Sequence, residues 1–514
     1  MAGEPVRLAE LLGALSAMSD LARGHAVDEA TRSCLVATGL ARRLGLAPPE
    51  VADVYYTSLL RSVGCTATSH EISVLMGGDD IAVRARGDMV DMSRPGEAAA
   101  FIASMGRGLP PAGRLRAVVG TAALGKRAAA EGAHADCEVG AAIARRLRLP
   151  ASVEAALLDV FERWDGRGGY RGLAGDAIAA PARFAAVGLC AAMFADEPEG
   201  AAAAVRRWRG RALDPTLADA FLASADELLA EAGVEDPWLA AVGCEPAPRR
   251  SVTADGLDAL ARAFADAVDL KAPFLHGHSA GVADLSARAA ALAGWDEPRV
   301  RDLRRAALLH DIGRAAIPTG VWEKPGPLSI AEWEQVRLHA YHGERILLRA
   351  PALAPLAATA GMHHERTDGS GYHRGAAGAA VGAPARFLAA ADAFHAMTEP
   401  RPHRPALTAT SAATALAAMP LDRDAVAAVL EAAGQPRPRP PAWPGALTDR
   451  EVEVLRLLAA GRSKREIASR LVLSPATVHT HTVHIYAKAG VSTRAALAMW
   501  AMEHDLAGPG RDID

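Results

Sequence analysis

The chain repeats itself. The segment FERWDGRGGYRGLAGDAIAAPARFAA (161–186) matches HERTDGSGYHRGAAGAAVGAPARFLA (364–389) at a constant offset of 203, so that Glu162, Asp165, Gly166, Gly168, Pro181, Arg183 and Phe184 fall on Glu365, Asp368, Gly369, Gly371, Pro384, Arg386 and Phe387. Upstream, SLLRSVGC (58–65) aligns with ALLHDIGR (307–314) and GHA (24–26) with GHS (277–279); downstream, LDPTLADAFLASADELL resembles LDRDAVAAVLEAAG. Convergent alanine-rich helices would not reproduce an ordered Gly-rich loop, so residues 1–247 and 248–433 read as two copies of one unit. The apolar spacing inside them is helical, as in VRLAELLGALSAM and AEWEQVRLHAYHGERILL, and no sustained alternating pattern of β-branched residues occurs. The expectation is an all-α chain. The stretch GQPRPRPPAWPG cannot be helix; it reads as a semi-rigid tether over 434–446, which leaves 447–514 as a third module.

Composition narrows the function classes. Of 514 residues half are hydrophobic and 23% are charged, a globular balance, and the net charge of −4 excludes a protein that coats nucleic acid over its whole surface. Five scattered cysteines without a CxxC pair point away from a disulfide scaffold and fit a reducing cytoplasm. The N-terminus lacks the basic start of a signal peptide, and no uncharged apolar run reaches the ~18 residues of a membrane span. A cytoplasmic location without membrane contact is expected.

Ten of the 17 histidines lie between positions 276 and 403. In the second copy His310 and Asp311 are adjacent at the end of an apolar helix, His363 and His364 are adjacent before ERTDGSGY, and His278, His339 and Asp392 stand in helical surroundings. Neighbouring residues on a helix point about 100° apart, so vicinal ligands suit a cluster of two metals better than one closed tetrahedral site. Imidazole mixed with carboxylate, without thiolate, favours Fe, Mn, Zn or Ni. Two such ions ~4 Å apart can clamp the attacking and leaving oxygens of a phosphodiester. His276, His342, His373, His395 and His403 read as ordinary histidines.

With HSAGVADLSARAA, ALLHDIGRAAIPTGVWEKPGPLSIAEWEQVRLHAYHGERIL, HHERTDGSGYHRG and PARFLAAADAFHAMTEPRPHR in unbroken order, residues ~270 to ~405 resemble the HD-GYP subgroup of HD-domain phosphohydrolases. The resemblance implies two tandem HD-domain-like helical bundles. It makes His278, His310, Asp311, His339, His363, His364 and Asp392 the metal ligands, with Asp311 bridging, and implies hydrolysis of a cyclic dinucleotide such as cyclic di-GMP. His310, Asp311 and Arg314 become the candidate catalytic residues. Three positions depart from the family. Gly371-Tyr372-His373 replaces Gly-Tyr-Pro. Arg314 replaces the usual lysine, with a planar fork in place of a point charge. Phe274 stands where trinuclear members place a glutamate, so two divalent ions are expected. In the first copy Arg61-Ser62 replaces the His-Asp pair, Val160-Phe161 the paired histidines and Leu189 the last aspartate; His25 and His134 remain. That copy is expected to be degenerate and without metal ligands. His70 with GGDD (77–80) reads as a solvated turn.

Residues 447–506 carry four short helices with their own caps: Thr448 with Glu451, Ser463 with Glu466, Ser474 with Pro475, and Thr493, with Gly461 and Gly490 as stops. The turn LVLSP makes the middle pair a helix-turn-helix. Eight Lys and Arg against six Asp and Glu leave a local charge of +2. Leu447-Thr448, Arg450-Glu451, Leu455, Gly461, Ile467-Ala468, Leu471, Ser474, Thr477-Val478, His481, Ile485, Lys488, Gly490-Val491 and Arg494 resemble the LuxR-type DNA-binding domain over its full length. Lys464, Thr477, His479, Thr480, His481, His484, Lys488 and Arg494 are the candidate contacts to double-stranded DNA, and a homodimer is expected because such domains span two half-sites. The full expectation is a DNA-binding transcriptional regulator carrying a two-metal phosphodiesterase. The competing reading is a regulator whose metal unit senses a nucleotide without turnover.

Overall fold

The computed structural model describes residues 6–436 apart from 198, 443–504 apart from 460 and 492, and 506. Helices dominate, and the regular sheet among the described residues is one antiparallel pair of two-residue strands, Val6–Arg7 with Ser251–Val252. The chain divides into two compact units between Pro436 and Arg437. Residues 437–442 of the Pro-rich tether lie outside the described residues.

In the larger unit the first helix, Leu8–Arg23, is buried along almost its whole length. A helix apolar on every side has no solvent face and must lie inside a core. Here it packs against Glu29–Arg43 of its own repeat and against Ile312–Ala316 and Ile330–Leu347 of the other. Leu12, Leu15 and Met18 join one continuous apolar cluster with Phe264, Leu309, Ile312 and Leu347, so the segments 1–247 and 248–433 share a core.

The repeat extends to individual bonds. Arg183 pairs with Asp214 at 2.8 Å and Arg386 with Asp422 at 2.9 Å, and each aspartate caps the helix that follows it. Glu162 accepts hydrogen bonds from the backbone N–H groups of Tyr170, Arg171 and Leu173, and Glu365 from those of Arg374 and Ala376, which folds the Gly-rich loop in each copy around one buried carboxylate. A Cβ on Gly64 would lie 2.0 Å from the carbonyl oxygen of Asp136, and one on Gly313 would lie 2.0 Å from that of His339. Glycine is required at both because helix backbone passes directly over the turn. Asp136 thereby stands in the first repeat where His339 stands in the second.

The first repeat fills its vacated centre with ion pairs. Arg23 bonds Glu29, Asp88 and Ser62, and His25 lies 2.9 Å from Glu29 and 3.0 Å from Asp88. Arg61, at the position of His310, lies against the Phe161 ring at 5.7 Å. His134, the other retained histidine, is half exposed, 3.1 Å from Glu138 and stacked on Tyr170.

The GGDD segment is not a solvated turn. Asp80 is fully buried, 3.0 Å from the Nζ of Lys271, and accepts the Thr319 N–H at 2.6 Å. His70 lies 2.6 Å from Glu323. The partners sit in the other repeat, which local polarity could not reveal.

Burial would lower the His25 pKa, but its hydrogen bonds to Asp88 and Glu29 raise it to about 9. A histidine with a raised folded pKa stabilises fully below its unfolded value near 6.5 and loses that contribution as pH rises through 9. Asp20, raised by burial and Glu29 to about 8, loses stability in the same direction. Comparison with His25→Gln therefore isolates the histidine. The native protein is expected to lose more melting temperature than the variant between pH 6.5 and 9; parallel curves would refute the assignment.

Candidate metal centre and helix-turn-helix module

Six helical segments deliver the centre. His310 caps the end of Glu297–Leu309, and Asp311 opens the 3₁₀ turn Ile312–Ala316. His339 lies within Ile330–Leu347, His363 and His364 just beyond Ala354–Gly361, Asp392 within Ala383–Thr398, and His278 at the first position of His278–Leu292. All seven side chains meet.

The Asp311 carboxylate lies between two sets of imidazoles. Its Oδ1 faces His339 at 3.4 Å and His363 at 3.6 Å, while Oδ2 faces His310 at 3.1 Å and His278 at 3.6 Å. Asp392 lies 3.2 Å from His278, 3.9 Å from His310 and 3.9 Å from His364. Arg314 reaches Asp311 at 2.8 Å and packs on the Trp322 ring, whose edge meets His339. Tyr372 stacks on His364 at 4.6 Å.

Ring orientation follows from where each histidine stands on its helix. His310, His339 and His363 donate Nδ1–H to the carbonyl three residues back, that of Ala307, Val336 and Ala360, which fixes the tautomer with the Nε2 lone pair toward Asp311. His278 begins its helix, so no such carbonyl precedes it. It uses the Glu399 carboxylate instead, at 2.8 Å from Nδ1. Sequence reasoning missed Glu399, although it lies two helical turns beyond Asp392. It also missed Trp322 and Arg401, whose guanidinium bonds Glu399 at 2.9 Å and lies over the Phe274 ring. His395, read as ordinary, lies 3.2 Å from Glu399.

Burial alone would push the Asp311 carboxyl up, but Arg314 and His310 hold it well below the usual carboxylate range. Burial likewise opposes ionisation of Asp392, and His278 and His364 outweigh it. Burial lowers His363 to about 4 and, with His363 beside it, depresses His364 further. Burial would lower His278 too, but its hydrogen bonds to Asp392 and Glu399 raise it to about 9, so a cation bound there would displace a proton, whereas His363 and His364 stand neutral beside ionised carboxylates, the donor state that a divalent cation requires. The Nε2 atoms of His278 and His310, both Asp311 oxygens and Asp392 Oδ1 are buried and, beyond their ion-pair approaches to one another and to Arg314, make no well-aligned hydrogen bond, an arrangement that a bound cation would complete. Sets of three such as His339, His363 and His364, or His278, His310 and Asp392, bring one ligand atom each within 4.8 Å of one another.

In the smaller unit Leu447, Leu455, Ile467, Val478, Ile485 and Leu497 form the core. Thr448 and Glu451 cap each other reciprocally, as do Ser463 and Glu466, and Ser474 caps Pro475–Ala489. Thr477, His479, Thr480 and His484 are exposed along that last helix and His481 is partly exposed. Lys464 lies 2.8 Å from His479. Lys488 and Arg494 are exposed, and both also bond to groups of the module itself. Lys488 bonds Glu451 at 2.6 Å, and Arg494 donates to the carbonyls of Leu458 and Arg462 at the end of Asp449–Ala459.

Known proteins share both parts. Residues 262–424 match the HD domain family and residues 445–501 the bacterial regulatory proteins of the luxR family. The chain is 31% identical over 424 residues, 81% of its length and 89% of the relative's, to 3′3′-cGAMP-specific phosphodiesterase 3 of Vibrio cholerae. The chain belongs to the HD-domain phosphodiesterase family. A crystal structure of a cyclic GMP-AMP-specific phosphodiesterase of V. cholerae superposes with a TM-score of 0.58 at 25% identity, covering 84% of this chain and 98% of that one. The cyclic di-GMP phosphodiesterase of Thermotoga maritima is 41% identical over 131 residues, a quarter of this chain and 36% of that protein. The protein is thus an HD-domain phosphodiesterase homologue, of a metal-dependent class of hydrolases, fused to a LuxR-type DNA-binding domain. Among the described residues no helix is long and apolar enough to cross a membrane.

A carboxylate that orients a metal-binding imidazole strengthens binding, so Glu399→Gln is expected to weaken metal affinity by about 10–100-fold. Competition with a chelator measures it, and unchanged affinity would remove Glu399 from that role.

Proposed function

We propose that the unit ending at Pro436 hydrolyses a cyclic dinucleotide at a two-metal centre held by His278, His310, Asp311, His339, His363, His364 and Asp392, while the C-terminal module, as a homodimer, binds duplex DNA. The observation that carries the reading is the Asp311 carboxylate, with one oxygen toward each histidine set. The preferred substrate is 3′3′-cGAMP, because the relative of that specificity aligns across both repeats, whereas the Thermotoga cyclic di-GMP enzyme aligns with a quarter of the chain.

Divalent ions, when bound, polarise the phosphoryl oxygens and lower the pKa of water. The chain's own residues do the rest. Asp311, Asp392 and Glu399 against Arg314, Arg401 and a His278 raised to about 9 leave the side chains of the cluster near neutral, with no net attraction for a phosphodiester. Two divalent ions make it positive. Arg314, fixed by Asp311 and Trp322, offers guanidinium N–H donors to a phosphate, a role its planar fork fits. Tyr372, stacked on His364, supplies an aromatic surface beside the centre.

The full chain is expected to hold about two ions and to cleave 3′3′-cGAMP faster than cyclic di-GMP. Asp311→Asn should lose metal and at least about a thousandfold in rate, corresponding to the several kcal/mol that metal ions contribute. Metal content by elemental analysis and product by chromatography check this. Turnover that survives chelation or the variant would overturn the metal-centre reading, and bound metal with no turnover would favour a sensor.

Lys464, exposed beside the recognition helix, is the phosphate contact we favour. Lys464→Ala should weaken binding to all sequences and reduce the salt slope by about 1. Lys488→Ala, by contrast, removes the ammonium partner of Glu451, which keeps its bonds to Thr448, and should also cost the module stability, up to about 1 kcal/mol. A salt slope unchanged in Lys464→Ala would contradict this assignment.

A further inference from the structure

The degenerate repeat reaches into the catalytic repeat at one place with unusual economy. Asp80 and Lys271 are fully buried and pair at 3.0 Å across the repeats. The second oxygen of Asp80 accepts the backbone N–H of Thr319, itself fully buried, at 2.6 Å. One residue on, Gly320 donates its N–H to the Gly78 carbonyl at 3.0 Å, and the two backbones approach so closely that a Cβ on Gly320 would lie 2.4 Å from that oxygen. His70 lies 2.6 Å from Glu323. Gly78, Asp80 and His70 thus grip three of the five residues 319–323.

That segment follows directly from the turn that carries Asp311 and Arg314. Between its anchored residues stands Trp322, whose ring lies 4.9 Å from the Arg314 guanidinium and 5.6 Å from the His339 ring. Arg314 Nε and Trp322 Nε1 are both buried and have no hydrogen-bond partner. Two unpartnered N–H donors beside a metal centre are what an anionic oxygen would satisfy, and their placement depends on where the segment lies. A lone buried ion pair is weak evidence for stability as such, because apolar replacements often serve equally well. The pair therefore calls for a reason other than stability, and the Thr319 bond supplies one.

We infer that Asp80 of the first repeat is a positioning residue for the phosphodiester site, acting through Thr319, Trp322 and Arg314 on the phosphate of the substrate. The degenerate repeat is thus part of the active site's support, although it holds none of the proposed ligands. This rests on the phosphodiesterase reading above, and the test separates the two.

Three variants of the full chain are compared. Asp80→Leu with Lys271→Met removes both charges together and also the acceptor for Thr319. Asp80→Asn with Lys271→Met removes both charges but keeps an acceptor oxygen. Gly320→Ala presses on the same contact from the other side and serves if the Leu/Met pair does not fold. Hydrogen exchange of residues 312–323 is followed together with bound metal and with KM and kcat for 3′3′-cGAMP. The Leu/Met protein is expected to keep its metal, to exchange at least tenfold faster in 312–323, and to show about a tenfold higher KM with a smaller change in kcat. Gly320→Ala should do the same, and Asn/Met should restore both readouts. Native exchange and native KM in Leu/Met, or failure of Asn/Met to restore them, would overturn the inference. Absence of turnover in the unaltered protein would instead sink the phosphodiesterase reading, while the exchange measurement would still report on the brace.

Discussion

Everything in the catalytic repeat is arranged around a carboxylate that would be untenable alone. Asp311 is fully buried, and its oxygens face four imidazoles and one guanidinium. Holding an ionised carboxylate there costs several kcal/mol of desolvation, recovered only if the surrounding positive groups are fixed at the right distances. The fold supplies that fixation through backbone. Three histidines are tied to carbonyls of their own helices, and Gly313 lets the His339 helix lie directly on the Asp311 turn. These constraints aim lone pairs and leave donors and acceptors incomplete, which is what distinguishes a metal centre from an ordinary buried ion-pair network.

The first repeat shows the alternative outcome on the same backbone. The glycine is kept at position 64, the Gly-rich loop still wraps a buried glutamate, and the arginine–aspartate pair that caps the later helix is reproduced. With Arg61 for His310, Ser62 for Asp311 and Asp136 for His339, the centre closes on itself. Arg23, His25, Glu29 and Asp88 satisfy one another, and Asp136 turns to Arg84 and Thr68. A set of side chains that pairs internally has no unmet demand for a cation.

The repeat, the helical class, the seven candidate side chains that gather at Asp311 and the four capped helices of the C-terminal module were legible in the sequence, because each depends on local spacing or on residues whose chemistry has few uses. His278, His310 and Asp392 are far apart in the chain, yet their residue types marked them. What was not legible depends on distant partners. Asp80 looks like a turn residue until Lys271 and Thr319, 191 and 239 positions away, are brought to it. Lys488 ends one helix and Arg494 begins the next, and only the structure shows that these exposed cations also bond Glu451 and two carbonyls of their own module. Glu399 follows a helix whose aspartate was recognised, but its role exists because His278 starts a helix and lacks the carbonyl that serves the other histidines.

The shared core gives these separate observations one physical consequence. The helix Leu8–Arg23 is buried along almost its whole length and is covered by both repeats, so removing the first repeat would expose the apolar faces of Ile312 and Leu347 together with the Asp311 turn they support. A repeat that has lost its ligands can be discarded only if its neighbour can bury that surface alone. Here the neighbour cannot, since its own turn is packed against that central helix and pinned at Thr319 from the other side. A copy without the metal-ligand candidates and an intact fold are therefore compatible: its central side chains pair internally, while its packing surface and Asp80 support the copy that holds all seven candidates.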